Sequence, residues 1–248
     1  MVQLFTDNFT GPGFQIFSTA HLYGLLGVLL FNIFMVMLLK KINSEKINNI
    51  IRYFIAIALV LQEASLSIWR MYHGRWEIAT SLPFHLCGLG ILFSAYMLMT
   101  KSKKLYEFLY FWGMAGATQA LLQPNLSEFS FPHYRYFQFF VSHGLFFAAI
   151  IFATFILKFR PRFKSIYRAF VITNIFAIFI GVFNFATDAN YMFIAHKPDT
   201  PSILDFMGPW PLYLIPLEFI ALFLFTLVYV PFLVRDFLRK PLSVETKN

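Results

Sequence analysis

The chain has 248 residues, of which 58% are apolar and only 13% are charged, whereas soluble domains average about 25% charged residues. Its net charge of +8 would favour a nucleic-acid partner in a soluble protein, but here the basic residues lie between long apolar runs and indicate membrane topology instead. The single cysteine excludes an internal disulfide and any zinc site built from several cysteines. We therefore expect an integral membrane protein with no nucleic-acid partner.

Seven apolar segments of about twenty residues follow one another along the chain, and each is long enough to cross a bilayer as a helix. No soluble domain or low-complexity tract separates them. The sequence therefore predicts an all-α fold, a seven-helix polytopic transmembrane bundle that forms a single domain over residues 1–248. The predicted helices cover residues 19–39, 50–68, 82–99, 105–122, 136–157, 166–185 and 211–234.

The distribution of lysine and arginine predicts the orientation of the bundle. The connections after the first, third, fifth and seventh segments hold 16 of the 20 basic residues. Cytoplasmic loops attract basic residues, so the N-terminus is expected outside and the C-terminus in the cytoplasm of a multi-pass cell-membrane protein. The outer side keeps four basic residues, Arg70, Arg75, Arg135 and Lys197.

The start of the third segment carries an unusual group of side chains, since residues 82–90 read LPFHLCGLG. Ionisable side chains in a membrane helix are costly, so His85 and the lone Cys87 suggest a functional site. A buried cysteine can equally serve as a small apolar side chain. Positions two apart point to nearly opposite sides of a regular helix, so both side chains reach one site only if Pro83 and the glycines distort it.

Polar side chains of the neighbouring segments concentrate at the same outer end. Glu63, Gln119, His143 and Asn184 fall in the outer halves of the second, fourth, fifth and sixth segments. A membrane carboxylate needs a partner or a proton, which makes Glu63 a candidate for the site. Each of these residues also has a purely structural interpretation. His143 could be a buried, hydrogen-bonded imidazole, Asn184 could bond neighbouring helices, and Arg70 could anchor its helix at the membrane interface.

The long outer connection, residues 190–209, is expected to form an ordered cap. Its prolines, Pro198, Pro201 and Pro209, restrict the backbone, and its apolar residues need burial. Long loops within a compact domain are commonly functional lids. The candidate cap residues are Asn190, Asp205 and Trp210.

Four motifs that span nearly the whole chain give a resemblance to a known family. They are LPFHLCGLG at residues 82–90, QALLQPN at 119–125, FFVSHG at 139–144 and NYMFIAHKPDTPSILDFMGPWPLY at 190–213. The sequence resembles the YwaF-like family of integral membrane proteins, which includes the vertebrate transmembrane protein 164. The resemblance implies a lipid acyltransferase that uses a cysteine and a histidine and no cofactor, with phospholipid or lysolipid substrates. The matching positions are Cys87 and His143 as catalytic residues.

The implied reaction is acyl transfer, or acyl hydrolysis, through a thioester near the outer leaflet. His143 accepts the thiol proton and Cys87 attacks the lipid ester, with His85 or Glu63 orienting the imidazole and Gln119 and Asn184 in support. Three alternatives remain open at this point. They are a small-solute or proton-coupled transporter built on the same polar cavity, a structural or assembly partner, and zinc bound by His85, Cys87 and His143.

Overall fold

The computed structural model describes residues 3–198 and 202–239, which form helices joined by turns, with no β-strand among them. A five-residue π-helical turn, Trp112–Gly116, joins α5 to α6, and short 3₁₀ turns follow at Tyr191–Phe193 and Ile203–Phe206. The helices are α1 (Thr19–Ile42), α2 (Glu45–Tyr72), α3 (Ile78–Ser81), α4 (Leu86–Thr100), α5 (Lys103–Phe111), α6 (Ala117–Leu122), α7 (Tyr134–Phe155), α8 (Phe163–Thr187) and α9 (Leu214–Arg239).

Five of these helices, α1, α2, α7, α8 and α9, are long and apolar enough to cross a membrane, as in a multi-pass membrane protein. The third predicted segment contains the shorter apolar helix α4, and the fourth is divided into α5, the π turn and α6. The prediction that the third helix begins at residue 82 is wrong, because α4 begins at Leu86.

Serine caps and tight turns explain where several helices begin and end. The side chains of Ser18, Ser44 and Ser102 accept hydrogen bonds from backbone amides in the first turns of α1, α2 and α5. Asn43 and Lys101 adopt left-handed backbone angles and end α1 and α4. Each of these two connections is only two residues long, so α1 and α2, and likewise α4 and α5, run antiparallel.

Helix α7 lies at the centre of the fold. It packs against α1, α2 and α4. In its apolar 18-residue stretch, 72% of the residues are buried within the protein, compared with 17–22% in the other four long helices. Glycines let its neighbours approach closely, because a Cβ added at Gly90 of α4 would lie 2.5 Å from the Phe146 ring, and one at Gly113 would lie 2.7 Å from Ile150. The polar groups that α4 and α7 carry are therefore held against a rigid core.

A buried arginine joins α2 to the carboxyl end of α4. The Arg52 guanidinium donates hydrogen bonds to the carbonyl oxygens of Leu98 and Met99, the latter at 3.1 Å. It also lies 4.1 Å from the centre of the Tyr53 ring. The last carbonyls of a helix lack intrahelical partners and carry partial negative charge. Arg52 supplies both the missing donors and the compensating charge.

We predict that Arg52→Ala lowers the stability of the protein by about 1–3 kcal/mol, because buried carbonyls of α4 lose a charged donor. The measurement is thermal unfolding of the purified protein in detergent. Lys46→Ala, which removes the same charge from an exposed position of the same helix, should change the stability by less than about 0.5 kcal/mol. Equal destabilisation by the two variants would contradict the assigned role.

Candidate functional site

The polar end of the protein, where α2 ends and α4 and α7 begin, contains most of the predicted site residues. We call it the basin end. The chain reaches α4 through α3 and an extended stretch, in which His85 is the residue that precedes the helix. Cys87 is the second helical residue, a free and half-buried thiol. Because His85 has extended rather than helical angles, the two side chains are not fixed on opposite sides of one regular helix.

Cys87 and His143 hold equivalent positions relative to a close contact between α4 and α7. The two helices run in the same direction, and Gly90 lies against the Phe146 ring. Cys87 is three residues before Gly90, and His143 is three residues before Phe146. Residues three apart share one face of a helix, so both functional groups lie one turn closer to the basin end than the contact. Among the described residues no hydrogen bond joins Cys87 to His143.

The ring of His143 is held by its own helix. Its Nδ1 lies 2.9 Å from the Phe139 carbonyl oxygen and 3.4 Å from Ser142 Oγ, and the ring stacks on Phe139 with centroids 4.2 Å apart. A carbonyl can only accept, so Nδ1 carries the proton and Nε2 of the neutral ring keeps its lone pair. The Phe139 carbonyl thus occupies the orienting position that the sequence analysis offered to Glu63 or His85.

His85 connects the start of α4 to the segment after α8. Its Nδ1 accepts a hydrogen bond from the backbone N–H of Met192 at 3.3 Å. Its ring packs against Tyr191 and Phe193, with centroids 5.3 and 5.4 Å away. Since Nδ1 accepts, Nε2 carries the proton in the neutral ring, and this N–H donates to no group among the described residues. Met192 has a φ of +60°, so this contact stabilises a backbone conformation that side-chain-bearing residues seldom adopt.

Asn184 and Tyr191 fix the beginning of the predicted cap. The Asn184 side chain is buried, donates to the Tyr191 carbonyl at 2.9 Å and accepts from the Tyr191 N–H at 3.0 Å. The Tyr191 hydroxyl donates to the Ile78 carbonyl at 2.6 Å and accepts from the Leu82 N–H at 2.9 Å. Burial raises the pKa of Tyr191, so its hydroxyl stays protonated and keeps this donor. α3, α8 and the approach to α4 are thereby joined through one tyrosine.

The remaining cap residues hold the segment through local hydrogen bonds. Asn190 Oδ1 accepts from the amides of Ala195 and His196 at 3.2 and 3.1 Å. Asp205 Oδ2 accepts from the Ser202 amide at 2.8 Å, and Trp210 Nε1 donates to the Ile194 carbonyl at 2.9 Å. These bonds tie down the described parts of the predicted cap.

Part of the predicted cap is not covered by these contacts. Residues 199–201, which include Pro201, lie outside the described residues.

Two adjacent cavities, of about 210 and 510 Å³, open at the basin end and share Arg70, Asn125 and Ser127 in their walls. Arg135 lines the smaller cavity and His85 the larger. We call the pair of cavities the basin. The fold therefore places ionisable groups from the end of α2, from the residue before α4 and from the start of α7 around these two cavities.

Glu63 lies within electrostatic range of Cys87, Arg70 and Arg135, and no hydrogen bond or ion pair of its carboxylate occurs in the described part of the chain. Gln119 is exposed on α6, and its backbone carbonyl accepts from the Gln123 amide at 2.9 Å. The structure thus places Glu63 near Cys87, whereas the Gln119 side chain is exposed on α6 and contacts none of these groups in the described part of the chain.

The sequence analysis missed the importance of two arginines. It considered Arg70 as an interfacial anchor and Arg135 only as a loop charge, yet both line the basin. A signal was present in the charge distribution, because these residues belong to the four basic residues on the side where such residues are rare. Their proximity was hidden, since they are 65 positions apart in sequence and meet only through the packing of α2 against α7.

No grouping of three or more His, Cys, Asp or Glu side chains that could hold a metal ion occurs in residues 3–198 and 202–239. The zinc alternative needs such a grouping around His85, Cys87 and His143, so it has no ligand set in the described part of the protein.

A third cavity, which is apolar and has a volume of about 560 Å³, lies between α1, α2 and α7. Gly24, Gly27 and Gly144 contribute to its wall, and nothing lies within 4 Å of a Cβ built at Gly27. Gln62, the neighbour of Glu63, also lines this groove, and its buried Oε1 has no hydrogen-bond partner in the described residues. An apolar groove thus runs beside the helix that carries His143.

Comparisons with known proteins agree with a membrane protein of this kind. The model of the TMEM164 family matches residues 16–229. A protein of Treponema pallidum (strain Nichols), described as uncharacterized, is 28% identical over 151 residues. That match covers 61% of this chain, and the chain spans about 62% of the length of that relative. No solved structure matches the chain.

We predict that Asn184→Ala loosens the cap, because it leaves the amide and the carbonyl of Tyr191 without partners, at about 1–3 kcal/mol for each buried group. The measurement is hydrogen exchange, which should accelerate at residues 189–196 while α7 keeps its protection. Phe185→Leu changes the adjacent, exposed side chain and should leave exchange unaltered. Unchanged protection in Asn184→Ala would refute the role of this side chain.

Proposed function

The chain belongs to the TMEM164 family, and from that membership we propose that it is a membrane lipid acyltransferase or acyl hydrolase of the YwaF-like type. Its catalytic pair is Cys87 and His143. The observation that carries the proposal is their equivalent placement, one turn above the contact between Gly90 and Phe146. Support also comes from the His143 ring, whose Nδ1 is engaged by a carbonyl, so that Nε2 is left as a proton acceptor.

The reaction follows from these two groups. His143 Nε2 takes the thiol proton of Cys87, and the thiolate attacks the carbonyl carbon of a lipid ester. The tetrahedral intermediate collapses to a thioester, and the departing lysolipid oxygen takes the proton back from the imidazolium. An acceptor hydroxyl then attacks the thioester while His143 removes its proton, which returns to the thiolate as it leaves. Water in place of the acceptor hydroxyl gives hydrolysis.

The other predicted residues have supporting roles in this proposal. Glu63 is within electrostatic range of Cys87, and a carboxylate beside a thiol opposes thiolate formation unless cations compensate it. Arg70 and Arg135 are positioned to do so. Asn184 and His85, with the cap residues Asn190, Asp205 and Trp210, position the segment that covers the basin. The role of Gln119 rests on the motif alone.

We propose that all seven helical segments cross the cell membrane as one domain, with the basin at the outer face. The basin then lies at the depth of lipid headgroups, and the apolar groove beside α7 lies at the depth of acyl chains. Seven crossings require α4, and the unit of α5, the π turn and α6, to span the bilayer with the five longer helices. The 20-residue unit of α5, the π turn and α6 matches an average bilayer. At 15 residues α4 is short, and it needs the extended stretch before it to complete the crossing.

We predict that the purified protein transfers an acyl chain from a phospholipid to a lysolipid, followed by lipid mass spectrometry. Cys87→Ala should abolish transfer, and His143→Gln should lower its rate by about a hundredfold or more, as expected for a lost general base. Because Cys87 is the only cysteine, an acyl adduct in the intact protein mass that hydroxylamine removes identifies the thioester. The control is His73→Gln, a histidine at the end of α2 away from the pair.

Full transfer activity in Cys87→Ala would refute the mechanism. Absence of transfer and of hydrolysis in the wild-type protein, together with solute uptake by proteoliposomes, would favour the transporter.

Topology has its own test. In a Cys87→Ala background, Glu77→Cys and Lys158→Cys place single thiols at exposed positions of opposite ends. A membrane-impermeant maleimide added to intact cells should label the first and should label the second only after the cells are opened. The reverse pattern would invert the proposed orientation.

A further inference from the structure

We propose that Arg70 and Arg135, with His85, form a binding site for the phosphate group of a membrane phospholipid. The two arginines line the same cavity at the basin end, Arg70 in the last turn of α2 and Arg135 in the first turn of α7. Arginine presents a planar fork of donors that matches phosphate oxygens. This inference names the substrate group bound by the proposed enzyme and to that extent rests on the proposed function.

Among the described residues, the two arginines contact only neutral acceptors. Arg70 donates to the Thr80 carbonyl at 3.2 Å and Arg135 to Gln138 Oε1 at 2.6 Å, both neutral acceptors. Neither forms an ion pair with a carboxylate in the described part of the chain. The two guanidinium groups also repel each other electrostatically. Two half-buried like charges without contacting counter-ions are unfavourable unless an anion binds between them.

Arg75 provides the contrast within the same cavity. It forms ion pairs with Asp7 and with Glu128, the latter at 3.2 Å. Its charge is therefore already neutralised by the protein. Arg70 and Arg135 are attracted by Glu63 at a distance, and Glu128 adds an attraction to Arg135. Neither guanidinium contacts a carboxylate in the described part of the chain, so both keep donors for an anion.

His85 adds a neutral donor to the wall of the larger cavity. Its Nδ1 accepts from the Met192 amide, which leaves the Nε2–H available, and it shares this cavity with Arg70. Asp188 is exposed at the same cavity and would repel an anion on its side. A phosphate is therefore expected at the wall formed by the arginines rather than near α8.

The position of the site suits a lipid better than a free anion. His85 is two residues before Cys87, and Arg135 is eight residues, or about 12 Å of helix rise, before His143. A phosphate at the helix ends thus lies above the pair, and only the glycerol separates it from the ester carbonyls. The apolar groove beside α7 provides a place for an acyl chain, which inorganic phosphate would leave unused.

The test is lipid binding by the full chain in detergent, titrated by native mass spectrometry with phosphatidylglycerol. Diacylglycerol with the same acyl chains and inorganic phosphate are the comparison probes. Arg70→Gln and Arg135→Gln should each weaken phosphatidylglycerol binding by about tenfold or more, as for a lost charge-assisted contact. Diacylglycerol should bind weakly to all variants. Arg75→Gln, which removes the same charge from the same end, should bind phosphatidylglycerol like the wild type.

Cys87→Ala should bind phosphatidylglycerol with the affinity of the wild type. The test of the phosphate site is therefore independent of the test of the proposed catalysis. Wild-type affinity in folded Arg70→Gln and Arg135→Gln would overturn the site, with folding checked by thermal unfolding. Equal weakening by Arg75→Gln would indicate general electrostatic attraction and would also overturn it. Inorganic phosphate that binds as tightly as phosphatidylglycerol would overturn the assignment to a lipid.

Discussion

Hydrogen bonds between side chains and backbone groups hold the basin end of this protein together. Within a bilayer there is no water to satisfy exposed backbone groups, and the few polar side chains of the apolar helices are used for that purpose. Asn184 bonds both backbone groups of Tyr191, and Tyr191 in turn bonds the Ile78 carbonyl. His143 is oriented by the Phe139 carbonyl. These bonds fix the positions of Tyr191 and of the His143 ring. The packing of the helices and the placement of the candidate site residues therefore depend on the same contacts.

The apolar runs were sufficient to predict helices, because a stretch of twenty apolar residues has few other stable forms in a membrane. The sequence also predicted a concentration of polar groups at one end, because that prediction needs only the helix order and the alternating direction of the helices. The start of α4 was not predictable in the same way. The apolar run includes Leu82 and Phe84, but Pro83 disfavours helical angles in the residue before it. The Leu82 amide also donates to the Tyr191 hydroxyl, and the stretch before Leu86 stays extended.

The candidate site was partly accessible from sequence for a related reason. Motifs identify Cys87 and His143 individually, but their equivalent depth depends on Gly90 meeting Phe146, a contact between residues 56 positions apart. The arginine pair was beyond local reasoning, because an arginine at a helix end has the same sequence context whether it anchors a helix or faces a cavity. What separates the two cases is whether a carboxylate contacts the guanidinium, and none does in the part of the chain that the structure describes.

The contact of Arg52 with the end of α4 has a consequence for how the chain is assembled. Synthesis proceeds from the N-terminus, so Arg52 has already left the ribosome when Leu98 and Met99 follow. The carbonyl end of α4 can therefore meet its donor before α7 has left the ribosome. α2 and α4 can therefore associate early as a helical pair, and α7 packs against this pair afterwards. The order in which the chain is synthesised thus matches the order in which these buried groups can form their hydrogen bonds.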